Sequence, residues 1–158
     1  MTFNPPDIAT TGAITLFTLC AAGSALGAGL ASSAAVGAWK KCLAHNRPAP
    51  FNVLMFVGAA LTNTLYGMVL MLRINGLAAS QSISLPAAWT LLAACVFIGL
   101  VIGLAAWTQA KVSACACDAQ CETGQGFANY LAAVGIVEGV TIFVFIFSLL
   151  VVEKFFQG

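Results

Sequence analysis

The sequence predicts an all-α membrane protein: four transmembrane helices, arranged as two duplicated hairpins that assemble into a ring. Three observations carry this reading. Hydrophobic residues fill 61% of the 158 positions and charged residues only 7%, against about 25% charged in a soluble domain, so the chain cannot cover a water-facing surface. Four long apolar runs alternate with short polar breaks. The second half of the chain also repeats the first at a nearly constant offset. The net charge of +1 gives no basis for a nucleic-acid partner.

Crossing about 30 Å of hydrocarbon takes roughly 20 helical residues. Segments near 12–39, 51–74, 86–113 and 126–152 satisfy this. The stretch before them, MTFNPPDIATTG, lacks the positive region of a secretory signal and is read as unprocessed. Helix one contains AAGSALGAGLASSAAVGA, with Gly23, Gly27, Ala31 and Ala35 at four-residue spacing and Gly29, Ser33 and Gly37 on an adjacent row. It ends at KKCLAHNRPAP, rich in cations and proline. Helix two is bulky and is followed by RINGLAASQSISLP, read as a polar turn holding Gly76 and Pro86. Helix three again has small residues, Gly99 and Gly103, and leads into the polar, Gly-containing KVSACACDAQCETGQG. Helix four is bulky again.

The halves align. GLASSAAVG from Gly29 lies over GLAAWTQAKV from Gly103, and NTLYGMVLML from Asn63 lies over EGVTIFVFIF from Glu138, at offsets of 74 and 75. A duplicated hairpin explains both matches and divides one integral membrane unit into residues 1–80 and 81–158. Lys40, Lys41, Arg47 and Lys111 border one set of loops, against Arg73 and Lys154 on the other side. The positive-inside rule then makes loops 40–50 and 111–126 cytoplasmic and puts both termini outside; a bacterial plasma membrane is the expected setting. Small residues spaced by four let helices approach closely in lipid. One small-residue layer and one bulky layer make a wedge, and wedges repeated around an axis close into a ring, with Gly23, Gly27, Ala31, Gly29, Gly99 and Gly103 as packing positions. A compact four-helix bundle is the alternative.

Few strong polar groups lie within the spans. Glu138 is the one charged residue between Phe127 and Val152. A carboxylate near mid-bilayer costs roughly 2.5 kcal/mol or more on insertion scales, which makes it a functional candidate by default. Asn63 sits at similar depth in helix two, with Thr62 and Tyr66 four apart on a shared face. By simple counting Gln109 falls nearer the cytoplasmic end of helix three, unless that helix is longer or shifted. A carboxylate, two amide oxygens, a hydroxyl and a backbone carbonyl form an oxygen cage suited to a hard cation. A single carboxylate balances a monovalent charge. The other possible occupant is a proton on Glu138 itself. The cysteines Cys20 and Cys95 read as small packing residues. Cys115, Cys117 and Cys121 read as a loop cluster of free thiols, since CACDAQC lacks the usual metal-ligand pairing.

A small-residue first helix, LTNTLYG in helix two, TQAKV in helix three and VEGVTIFVF in helix four resemble the proteolipid of V-type ATPases, the component of their membrane rotor ring. The resemblance covers essentially the whole chain. It implies a homo-oligomeric ring in lipid, with odd helices inside, even helices outside, and Glu138 carrying the transported ion. In sodium-carrying members the cage falls on Glu138, Gln109, Thr62, Asn63 and the carbonyl of Ala59, with Tyr66 bonding the glutamate. Asn63 is a departure, because sodium members usually have the longer Gln there. The proline often found before the Thr is missing too. Sodium is still favoured over the proton, since so many amides are surplus in a plain proton carrier. The resemblance further implies a stator subunit supplying an Arg, and central-stalk subunits that meet the cytoplasmic loops. The chain has no nucleotide-binding loop, so hydrolysis belongs to other subunits. A proton-coupled multidrug transporter built on Glu138 is the competing reading. A purely structural tetraspan protein leaves the acid without a role.

Overall fold

The computed structural model describes residues 4–156, so the first three residues of the stretch read as unprocessed lie outside it. The described residues form four helices, each long and apolar enough to cross a membrane, and no strands. They are α1 (Pro5–Ala44), α2 (Phe51–Ser80), α3 (Leu85–Thr123) and α4 (Phe127–Lys154).

The helices outrun the apolar segments that announced them. α1 is 40 residues long and α3 is 39, about 60 Å each at 1.5 Å per residue and roughly twice the hydrocarbon thickness. Helix extent depends on where breakers fall, and hydropathy does not report that. Pro5, suited to the first turn, starts α1. Beyond Lys111 the sequence VSACACDAQCET holds neither Gly nor Pro, so α3 continues until Gly124. Gly124 adopts φ 69° and donates its N–H to the Gln120 carbonyl at 2.9 Å, a left-handed stop that favours glycine. The expected loop cluster of Cys115, Cys117 and Cys121 is therefore helical: Cys115 is exposed on α3, and the other two are buried. The expected polar turn RINGLAASQSISLP shrinks likewise. α2 runs through Gly76 to Ser80, and the chain turns only between Ser80 and Leu85.

α1 and α3 make the most extensive helix pairing in the molecule; α2 leans on α1 and α4 on α3, and α2 and α4 meet much less. Backbone contact underlies the α1–α3 pair. A Cβ at Gly23 would lie 2.3 Å from the Gly103 carbonyl oxygen, and one at Gly103 would lie 2.7 Å from that of Leu19. Gly99 against Leu16 and Gly27 against Ala106 are equally close, at 2.9 Å. The small residues expected at ring contacts thus divide between two faces. Gly23, Gly27, Gly99 and Gly103 join α1 to α3 inside the chain, and Ala31 is buried with Ala60 and Ala110. Gly29 has nothing within 4 Å and lies exposed. Large apolar side chains such as Leu26, Phe97, Ile136 and Phe143 are also exposed. A surface of this kind suits lipid or another apolar partner.

Candidate ion-binding site

The site begins with an irregularity in α2. Residues Ala59–Leu61 form a 3₁₀ turn between the α-helical stretches Leu54–Gly58 and Thr62–Ser80. Mid-helix 3₁₀ segments often mark functional positions. This one occurs without a proline, directly before the residues singled out in the sequence. Thr62 Oγ1 donates to the Ala59 carbonyl at 2.8 Å.

Two pairs of side chains follow from this register. Asn63, fully buried, donates from Nδ2 to Gln109 Oε1 at 2.9 Å, linking α2 to α3. One turn on, the Tyr66 hydroxyl donates to Glu138 Oε1 at 2.9 Å, linking α2 to α4. The Tyr66 ring stacks on Phe145 with centroids 5.1 Å apart, which fixes the hydroxyl. Gln109 sits well inside α3 because that helix runs on to Thr123, and this removes the depth mismatch that counting suggested. The structure therefore brings Glu138 to Tyr66, Asn63 to Gln109 and Thr62 to Ala59. Among the described residues no hydrogen bond joins Glu138 directly to the amide pair.

Several polar atoms here are buried without a partner. Asn63 Oδ1, Gln109 Nε2 and Thr141 Oγ1 are all in this condition. A buried polar atom left unsatisfied costs about 1–3 kcal/mol, so these atoms call for a ligand, a water or a rearrangement. Ser24 Oγ of α1 belongs to the same group. Reading the sequence missed it, because in AAGSALGAG the serine passes for one more small packing residue. Its signal was position: Ser24 shares the four-residue spacing of Cys20 and lies on the buried side of α1.

Among the described residues no cation faces the acid. The ion pairs there join Lys41 to Asp118 at 2.8 Å, between α1 and α3, and Arg73 to Glu153, between α2 and α4. Glu138 is half-buried with Tyr66 as its hydrogen-bond partner. Chemically, the arrangement is a single carboxylate beside two amides and a hydroxyl, on three helices that cross a membrane.

Residues 92–151 match the family model for the C-subunit of ATP synthase. The match takes in most of α3 and α4, and with them Gln109 and Glu138. The first hairpin lies outside it. No curated protein matches the chain.

Proposed function

We propose that this protein is the rotor-ring subunit of a V-type ATPase, holding one monovalent cation on Glu138 in each copy, with sodium favoured over the proton. The observation that carries the reading is the half-buried Glu138, free of any cationic partner among the described residues, held by Tyr66 one turn from the buried Asn63–Gln109 pair. A carboxylate in lipid needs its charge balanced, and a bound monovalent cation does this. The oxygens for a sodium cage are those of Glu138, Gln109, Thr62, Asn63 and the Ala59 carbonyl. Asn63 Oδ1, buried and unpartnered, is an acceptor that a cation satisfies.

The working cycle follows from charge. An ion arriving through a half-channel in a stator subunit neutralises Glu138, and the neutral site turns through lipid. An Arg of the stator then competes for the carboxylate and releases the ion on the other side. The loop after α1 and the far end of α3, on the cytoplasmic side in this reading, meet the central stalk. Only one hairpin carries an acid, so each four-helix subunit moves one ion. Fewer ions per turn suit a pump working against a steep gradient, at about 2.3 kcal/mol per charge per 100 mV.

The test is carbodiimide labelling of Glu138 in the purified protein, read by mass spectrometry across sodium concentration and pH. Sodium slowing the reaction at fixed pH supports a sodium rotor. A rate governed by pH alone makes this a proton ring, and absence of labelling under every condition removes Glu138 as the carrier.

A further inference from the structure

Many hydroxyls in these helices donate to the carbonyl one turn back, whereas those of Ser24, Ser113 and Thr141 are buried without a partner. Thr15 to Thr11 and Ser33 to Gly29, both at 2.8 Å, and Ser148 to Val144 at 2.7 Å are examples of the first kind. Ser24 makes no such bond, although it is only 1% exposed and its Oγ has no partner. A hydroxyl that leaves its own helix unclaimed is available to a neighbouring one.

Helix register identifies the neighbour. A Cβ at Gly67 of α2 would lie 2.7 Å from Cys20 Cβ of α1. Further along α1, Ala31 is buried against Ala60 of α2. The two helices run in opposite directions between these points. Advancing one turn from Cys20 to Ser24 therefore moves the facing position on α2 back one turn, from Gly67 to Asn63. Both residues are buried, and each has one unsatisfied atom: a hydroxyl able to donate and Asn63 Oδ1 able to accept.

We infer that Ser24 is a positioning residue of the ion site, donating to Asn63 Oδ1, directly or through one buried water, and so fixing which way the Asn63–Gln109 amide pair points. This rests on the ion-carrier reading of Glu138 and deepens it. With Oδ1 taken by Ser24, Asn63 Nδ2 is left to donate to Gln109 Oε1, as it does at 2.9 Å. Each amide oxygen keeps a second lone pair, so Gln109 Oε1 and Asn63 Oδ1 in this orientation still offer acceptors to a cation. Without the hydroxyl the two amides can turn over together, exchanging oxygen for N–H at each end and altering what the site offers an ion. The helix-one serine thus acts on the site from behind, through two amides, without touching the ion.

The experiment uses the purified full-length protein with Ser24→Ala, Asn63→Leu and the double variant, and with Asn63→Ala in place of Leu where Leu does not yield folded protein. Glu138 labelling by carbodiimide is followed against sodium. Losing one buried hydrogen bond alters an equilibrium by about fivefold, so Ser24→Ala raises the half-protecting sodium concentration by about that factor and adds nothing in the Asn63→Leu background. An unchanged protection curve, or an equal shift in both backgrounds, overturns the assignment. Thermal unfolding of the same four proteins separates this idea from the ion reading. If sodium never protects the wild type, the sodium reading fails, and the Ser24–Asn63 contact is then judged by stability alone: coupled effects support it and additive effects overturn it.

Discussion

The contact between Gly23 and Gly103 makes a sharp quantitative prediction. Gly23→Ala adds one methyl group, and its carbon falls 2.3 Å from the Gly103 carbonyl oxygen. That is about 1 Å short of ordinary van der Waals contact. The obstacle is backbone on a second helix, so no side chain can swing aside and α1 and α3 must separate. Overpacking of this kind costs about 1–3 kcal/mol or more, offset by about 1 kcal/mol from replacing glycine within a helix. Gly29→Ala is the matched control. It gains the same helix propensity, but a Cβ there meets nothing within 4 Å. Unfolding of both variants in mild detergent, followed by circular dichroism with heat, should therefore diverge: Gly23→Ala less stable than wild type, Gly29→Ala equal or slightly more stable. The pair then discriminates within the assembly. If subunits pack around Gly29, Gly29→Phe prevents ring formation, as judged by mass in detergent, and leaves the helical content of each protomer intact. A Gly23→Ala protein as stable as wild type would refute the backbone contact on which the fold rests.

Further expectations concern the site and the helix ends. Tyr66→Phe keeps the stack on Phe145 and removes the donor to Glu138, so the sodium concentration that half-protects Glu138 from carbodiimide rises about tenfold; an unaltered curve means the hydroxyl has no part in binding. Glu138→Gln abolishes both labelling and ion transport by the assembled complex, and transport surviving in that variant refutes the carrier role. Asp118→Asn breaks an ion pair whose side chains are 67% and 49% exposed, and thermal unfolding registers no change, since exposed pairs contribute little. In the folded protein Cys115 reacts with a maleimide, whereas Cys117 and Cys121, buried beneath α1 and α2, stay unmodified until heat opens the helices.

How much of this was legible beforehand depends on the kind of signal. Four helices follow from four apolar runs, because lipid allows the backbone few other ways to satisfy its hydrogen bonds. Glu138 was legible because a charge in such a run is costly. Helix ends were not, since they are set by breakers: Gly124 stops α3 and nothing before it does. Hydropathy had instead placed a loop around Cys115–Cys121. The 3₁₀ turn at Ala59–Leu61 had no signal either, because the alanines there allow it without announcing it. The rows of small residues on α1 were visible, but their assignment was not, as spacing cannot say which row meets a helix of the same chain. Ser24 was hidden for the same reason: among glycines and alanines a serine looks like a spacer until the facing helix is known.

The unequal grip between the helices has a mechanical consequence. α1 and α3 meet backbone to backbone at Gly23, Gly99 and Gly103, which makes them a stiff post. α4 is held less tightly: it packs on α3 and meets α2 at separate points, through Phe127 and Tyr130 on Phe56, Glu138 and Phe145 on Tyr66, and Glu153 on Arg73. A sideways load applied at Glu138 therefore strains a supple outer spoke before it reaches the rigid post. In the rotor proposed above, deflection is stored beside the carboxylate, and the post passes the push on smoothly.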